Sequence, residues 1–251
     1  MKKLEGKIAV VTGASKGIGA SIALHLAQAG AGVVVNYSTS RKEAEKVVSD
    51  IEAQGGRAIA VQADVSKKAE IVRLFAEAKK AFGRIDILVN NAATYGSSFG
   101  LETITEDDFH RHFDLNVLGL LLCTQEAVKH MGPEGGNIVN ISSVVSVMAP
   151  ASNSVYSATK AAINAITRSL SKELGPRKIR VNGVAPSLVE TDGTRRFGVE
   201  DPNHPMRLRI EATNALGRIG QPHEIAPVVV FLATEDAAWV TGETWFVTGG
   251  Y

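Results

Sequence analysis

The sequence predicts an α/β fold, a doubly wound, parallel seven-stranded sheet with helices on both faces, and three observations predict it. Short apolar runs alternate with stretches of helical periodicity along the whole chain, the order that builds parallel sheets through crossover helices. The first run passes directly into a glycine-rich turn and then a helical stretch. The polar residues that look chemically useful fall near the carboxyl ends of the predicted strands, where open parallel sheets bind ligands.

Taken in order, Lys7 to Val11 reads as a strand buried on both faces. Thr12-Gly13-Ala14-Ser15-Lys16-Gly17-Ile18-Gly19 follows, then a helix from Ala20 to Gln28 closed by Gly30. Glycines at this point let the backbone approach a pyrophosphate, and the helix N-terminus offers it N–H groups. Gly32 to Tyr37 is the second strand, and it ends without an acid. A carboxylate there would grip the ribose hydroxyl of NAD and repel a 2′-phosphate. Asn36, Tyr37 and Ser38 stand in its place, with Arg41 and Lys16 nearby, which favours NADP(H) and leaves NAD(H) possible; either cation can equally be a solvated surface charge.

Helices over Arg41 to Gln54 and Lys67 to Phe82 flank a third strand, Arg57 to Ala63, which ends at Asp64-Val65. Asp64 can accept a bond from an adenine amine or cap the next helix. The fourth strand, Ile85 to Val89, leads to Asn90-Asn91-Ala92-Ala93, where paired asparagines can hold a turn through side-chain bonds to backbone. A long helix from about Glu106 should carry Phe109, Phe113, Val117 and Leu120 as its core stripe, with Asn116 among them. A fifth strand lies at 137–141, a helix runs to Leu174, and Ile179 to Val184 is the sixth strand. From Asp192 to about Leu216 apolar periodicity is lost, and Arg195, Arg196, His204, Arg207 and Arg209 accumulate. Such a stretch reads as a substrate-binding loop, whose arginines either attract an acidic substrate or form a solvated face. Gln221 opens a helix through Leu232, and Thr244 to Val247 is the last strand.

The whole chain sets further bounds. With 251 residues and 45% hydrophobic content, 1–251 reads as one domain. The net charge of +1 and the scatter of Lys and Arg give no nucleic-acid footprint. No run suits a membrane span and no signal core precedes the first strand, so a cytoplasmic location is expected. Cys123 lies in an apolar run and reads as a small buried hydrophobe.

The chemistry concentrates between Ser143 and Lys160. Tyr156 and Lys160 stand four apart at the start of an alanine-rich helix, so they share a face. Bringing a phenol from pKa ~10 to ~7 takes roughly 4 kcal/mol, and a unit charge ~4 Å away at an effective dielectric of about 20 supplies that order of energy. Lys160 is therefore expected to lower the pKa of Tyr156, with Ser143 donating to the same substrate oxygen.

Together, Thr12-Gly13-x-x-x-Gly17-x-Gly19, Asp64, Asn90-Asn91-Ala92, Asn116, Ser143 and Tyr156-x-x-x-Lys160 resemble the short-chain dehydrogenases/reductases of the single-domain, Rossmann-type class, in order and spacing over essentially the whole chain. The resemblance implies an oxidoreductase that transfers hydride between NADP(H) and a small-molecule carbonyl or alcohol. Tyr156 would be the general acid/base and Ser143 the polarising donor. Lys160 would hold the nicotinamide ribose, and Asn116 a proton-relaying water. Carried over position by position, the cofactor would touch Gly13, Ser15, Lys16, Gly17, Ile18, Gly19, Asn36, Tyr37, Ser38, Asp64, Val65, Asn91, Ala92, Tyr156, Lys160, Pro186, Val189 and Thr191. A homotetramer is also implied. Within the family the chain is most similar to 3-oxoacyl-carrier-protein reductases and glucose-dehydrogenase-like or carbonyl reductases; a sugar or polyol dehydrogenase and a cofactor-sensing binding protein are the alternatives. Ala93 and Ser187 replace family glycines, and Lys129 and Lys172 loosely match a carrier-protein docking site.

Overall fold

The computed structural model describes residues 2–95, 100–195 and 198–250. In chain order its elements are β1 (Ile8–Val11), α1 (Gly17–Gln28), β2 (Gly32–Tyr37), α2 (Arg41–Ala53), β3 (Arg57–Gln62), α3 (Lys68–Phe82), β4 (Ile87–Asn90), α4 (Glu106–Phe113), a π-helical turn (Asp114–Gly119), α5 (Leu120–His130), β5 (Gly136–Ile141), α6 (Val145–Met148), α7 (Ser154–Leu174), β6 (Ile179–Pro186), α8 (Asp192–Arg195), α9 (Pro205–Thr213), α10 (Pro222–Ala233) and β7 (Thr244–Val247). The seven strands are ordered β3-β2-β1-β4-β5-β6-β7 and every pairing is parallel. The order reverses between β1 and β4, so a crevice opens at their carboxyl ends.

The central strands are buried on both faces, which is why they read as unbroken apolar runs. In register, Val10 lies between Val34 and Leu88. On one face, Ile22 and Leu26 of α1 and Ile225 and Val229 of α10 pack over Val11, Val33 and Val35. On the other, Leu74 and Phe75 of α3 and Cys123 and Ala127 of α5 cover Val10, Val34 and Leu88. Cys123 is buried as expected, and burial pushes its thiol up to about 12, which makes it unreactive.

Two expectations need correction. Of the stripe Phe109, Phe113, Val117, Leu120 only Leu120 is buried: Phe109 is 43% exposed and stacks on Phe113 with ring centroids 4.3 Å apart. The buried positions are His112, Asn116, Gly119, Leu120 and Cys123. The π turn is the cause, because its extra residue per turn rotates the inward face, whereas a stripe read from sequence assumes one period throughout. The stretch 192–216 is not simply a loop either, since it holds α8 and α9. Met206 and Leu208 of α9 stay exposed, so that helix buries no stripe and leaves no periodic signal; Val199, fully buried, anchors the segment. Arg196 lies outside the described residues.

Gly119 closes the π turn against the neighbouring chain, and a β-carbon there would strike the carbonyl oxygen of Val65. We expect Gly119→Ala to cost about 1–3 kcal/mol and to reduce turnover more than its neighbours' substitutions do, because the turn carries Asn116. Urea unfolding beside steady-state kinetics checks both; unchanged stability would show that the turn relaxes freely.

Candidate active site

The end of β1 is bolted to the end of β4. The Thr12 hydroxyl accepts the N–H groups of Asn91 and Ala92, each at 3.0 Å. The Asn91 amide donates to the carbonyls of Thr12 and Gly13 at 2.9 and 3.0 Å. Asn90 faces the other way, donating to Thr124 and to Asn140 in the core. The loop between β1 and α1 passes so close that a β-carbon on Gly13 would lie 2.9 Å from the Ala92 Cα, and one on Gly19 would overlap the Asn91 amide. Helix α1 begins at Gly17 with no side chain capping it. Its first N–H groups and the bare loop backbone form a donor set that fits a dinucleotide pyrophosphate.

Where the adenosine end would lie, the structure separates the predicted residues. Asn36 lines the cleft but is 1% exposed, beneath the loop. Its carbonyl oxygen accepts Gly13 N–H at 3.1 Å and its amide donates to the carbonyls of Val61 and Ala63 at 3.3 and 3.0 Å. It clamps loop to sheet, a role that a polar residue at a strand end does not advertise. Ser38 is exposed at the cleft edge. Lys16 lies 3.1 Å from Glu43, and Arg41 2.7 Å from Glu45, so each cation already has a carboxylate. Asp64 accepts both the N–H and the hydroxyl of Ser66. Burial pushes its carboxyl up, but these bonds and Lys67 outweigh it and hold the pKa below the usual range. Asp64 does not cap α3, whose N-cap Lys67 has no side-chain cap; it closes the turn before that helix through Ser66 and lines the cleft with Val65.

Tyr156 and Lys160 stand one turn apart on α7, and both line the cleft. Lys160 is 2% exposed, donates to the Ile141 carbonyl at 2.8 Å, and lies 5.6 Å from the centroid of the Tyr156 ring. Ser143 lines the same cleft, acts on the phenol so as to lower its pKa, and accepts the Val145 N–H at 3.4 Å. Ser142 bonds Asn164 at 2.6 Å, and Asn164 donates to Ser146 at 2.8 Å, which fastens the segment after β5 onto α7. Asn116 accepts the Thr94 N–H at 2.8 Å and donates to the Thr94 carbonyl at 2.9 Å and the Thr159 hydroxyl at 3.2 Å. Both of its amide hydrogens are engaged by the protein, so its visible part is to brace the strand-four loop against α7.

The electrostatics differ from the expectation that Lys160 lowers the phenol. Burial pushes the Tyr156 pKa above its ordinary value, the neighbouring Tyr95 pushes it further, and Ser143 only partly opposes them. Burial also brings Lys160 down to about 8. Removing two groups from water costs more than their mutual influence returns at this separation. A phenol so placed is a proton donor that stays protonated at neutral pH.

The cleft has a volume of about 980 Å³. Its walls include Tyr95, Met148, Pro150, Leu188, Met206, Arg209 and Ile210, none of which except Arg209 was singled out from sequence; their scatter over separate loops leaves no motif. Pro186, Ser187, Val189 and Thr191 line it after β6, and Ala93 after β4. Neither Ala93 nor Ser187 has a positive φ, so losing the family glycines strains nothing. Arg195 pairs with Glu190 and Asp192, Arg207 with Glu211, and Lys129 with Glu126. Among the described residues there is no metal-binding cluster, and no helix is long and apolar enough to cross a membrane.

A parallel sheet with a glycine loop at its switch point and a phenol, hydroxyl and buried ammonium at the same edge defines a dinucleotide-dependent oxidoreductase. Comparison with known proteins gives the family. A family model described as enoyl-(acyl carrier protein) reductase matches residues 13–251. An uncharacterized oxidoreductase of Methylorubrum extorquens is 54% identical over 100% of this chain and 99% of its own length. A hydroxynaphthalene reductase-like protein of Metarhizium brunneum is 41% identical over 99% and 96%. A short-chain dehydrogenase from Burkholderia cenocepacia, solved in complex with NADP, superposes with a TM-score of 0.92 at 36% identity, covering 99% of this chain and 98% of that one. The chain belongs to the short-chain dehydrogenase/reductase family, and it is an NAD(P)-dependent oxidoreductase.

Because unfolding returns Lys160 from about 8 to its ordinary 10.5, the unfolded chain binds more protons between those values and stability rises with pH across that window. Below pH 8 the full penalty is present. We expect Lys160→Met to abolish this rise and to be at least as stable as the parent at pH 7 while losing turnover. Urea midpoints at pH 7, 8 and 9 test it; parallel pH profiles for the two proteins would refute the buried charge.

Proposed function

We propose that this protein is an NADPH-preferring reductase of apolar ketones and aldehydes, with alcohol oxidation as its high-pH reverse. The reading is carried by one observation: Ser143, Tyr156 and Lys160 line one cleft, with the Lys160 ammonium buried against the Ile141 carbonyl. When bound along the cleft, a nicotinamide cofactor would supply the hydride. Ser143 donates a hydrogen bond to the carbonyl oxygen and orients it. Tyr156 gives that oxygen its proton as negative charge develops there. Lys160 uses one of its three donors on Ile141, leaving two for ribose hydroxyls. Asn116 holds the strand-four loop and, through Thr159, the carbonyl of Tyr156.

Preference for NADPH is supported by the missing carboxylate after β2 and by Lys16 and Arg41, whose exposed carboxylate partners a 2′-phosphate can replace. Substrate apolarity is supported by the walls at Met148, Pro150, Met206 and Ile210, and these disfavour the sugar dehydrogenase reading. A flat aromatic ketone agrees with the hydroxynaphthalene reductase-like relative. The family description suggests an enoyl thioester as a second reading; Lys129, held by Glu126, gives carrier-protein docking little support. The whole chain acts as one domain with residues 192–216 as its substrate segment, in the cytoplasm. A homotetramer is supported by exposed Trp245 and Phe246 on the edge strand β7 and by Phe109 and Leu118 on the α4 side.

Tyr156→Phe should lower ketone reduction by about 10²–10⁴-fold while NADPH affinity stays within a few-fold. Parallel assays with a β-ketoester, an aryl ketone, glucose and an enoyl thioester identify the substrate class, and parent-like turnover in the variant would remove Tyr156 as the acid. At the coenzyme end, Ser38→Asp should shift preference toward NADH by roughly tenfold or more, as like charges repel. Asn36→Asp should instead lower stability by about 1–3 kcal/mol, since a carboxylate would face two carbonyls. An unchanged NADPH/NADH ratio in Ser38→Asp would place the phosphate elsewhere.

A further inference from the structure

Tyr95 is unused by the mechanism above, yet its surroundings hold it over the reacting groups. Both backbone polar groups of the preceding residue, Thr94, are tied to Asn116, at 2.8 and 2.9 Å, so the backbone that carries Tyr95 is pinned to the π turn. Its ring centroid lies 6.5 Å from that of Tyr156, with the planes inclined by 60°. Its far end crosses the cleft to α8. A β-carbon built on Gly193 would coincide with the Tyr95 hydroxyl and stand 2.6 Å from its Cζ. Gly193 does not have a positive φ, so its backbone conformation does not require glycine. The Tyr95 ring does.

We infer that Tyr95, seated on Gly193, is the specificity-determining roof of the substrate pocket, and that it selects flat aryl ketones by stacking. The inference deepens the ketone reductase reading and rests on it. The same cleft is lined by Met148, Pro150, Met206 and Ile210. A slot between an aromatic face and apolar side chains accepts a planar apolar ring and gains from it beyond area alone, while a short flexible ketone fills neither side. Gly193 acts only through Tyr95: it is a positioning residue whose lack of a side chain leaves room for the phenol.

The test compares α-tetralone, a bicyclic aryl ketone, with ethyl acetoacetate in the NADPH-dependent reaction of the full chain. In Tyr95→Ala the ratio of kcat/KM for α-tetralone over ethyl acetoacetate should fall roughly 3–10-fold or more, mainly through KM. Gly193→Ala should lower the same ratio, and the double variant should match Tyr95→Ala alone. Tyr95→Phe, which keeps the ring, should keep the ratio within about two-fold. An unchanged ratio in either alanine variant, effects that multiply in the double variant, or a Phe variant as impaired as the Ala variant would overturn the inference. If the parent reduces neither ketone, the reductase reading fails by itself. Calorimetric titration of α-tetralone into the NADP⁺-loaded chain still decides the roof: weaker binding in Tyr95→Ala supports it, and equal binding or none in the parent overturns it. Should Gly193→Ala not fold, the two Tyr95 variants decide by the same ratio.

Discussion

One hydrogen bond, from the Lys160 ammonium to the carbonyl of Ile141, organises this molecule. Placing a charged amine in a dry interior costs several kcal/mol unless it is well partnered, and among the described residues the structure gives it a single protein acceptor, at 2.8 Å. That acceptor is the last residue of β5, so the charge ties α7 to the sheet at the level of the ligand crevice. The surrounding polar contacts serve to keep this costly arrangement in place. Ser142, Asn164 and Ser146 fasten the strand-five loop to the same helix, and Thr159 links Asn116 to the backbone of Tyr156. Destabilised polar clusters of this kind are where folds give up stability for chemistry.

The protonation state of the phenol follows from the same burial. Coulomb attraction at an effective dielectric of about 20 is large enough to bring a phenol near neutrality, but only if the cation is close and fully charged. Here the ammonium lies 5.6 Å from the ring centroid, and burial has moved its own pKa to about 8. Desolvation therefore wins over attraction, and the phenol is held protonated. A reductase needs its acid loaded when the hydride arrives, so an elevated pKa suits carbonyl reduction. Alcohol oxidation starts from the phenolate, and the same elevation delays it to alkaline solution.

The sheet was legible because its strands are buried on both faces and therefore carry continuous branched apolar residues; Gly32 to Tyr37 agrees end for end. The i,i+4 pair on α7 was legible because helical spacing places Tyr156 and Lys160 together in any context. What sequence hid depends on contacts between distant segments. The π turn breaks a period that a stripe assumes constant, which misplaced Phe109 and concealed His112 as a core residue. Asn36 reads as a ribose contact because it stands beside a strand end that lacks an acid, but its partners at Val61 and Ala63 come from the neighbouring strand and the residue that follows it. Helix α9 buries no face and so leaves no pattern.

The coenzyme end shows why an absent residue is more informative than a present one. Lys16 and Arg41 first suggest a phosphate site, yet each is already paired, with Glu43 and Glu45. These pairs are solvent-exposed, and such pairs contribute little to stability. A phosphate dianion would offer a stronger, multidentate partner at the same positions, so in the proposed reading the carboxylates hold the cations without competing seriously for them. A carboxylate at the strand end would be different in kind. Fixed on the sheet beside the ribose, it could not swing away, and its repulsion of a 2′-phosphate would persist whatever the surface lysine and arginine did. In the proposed reading the end of β2 therefore sets the discrimination, and the cations adjust only its strength.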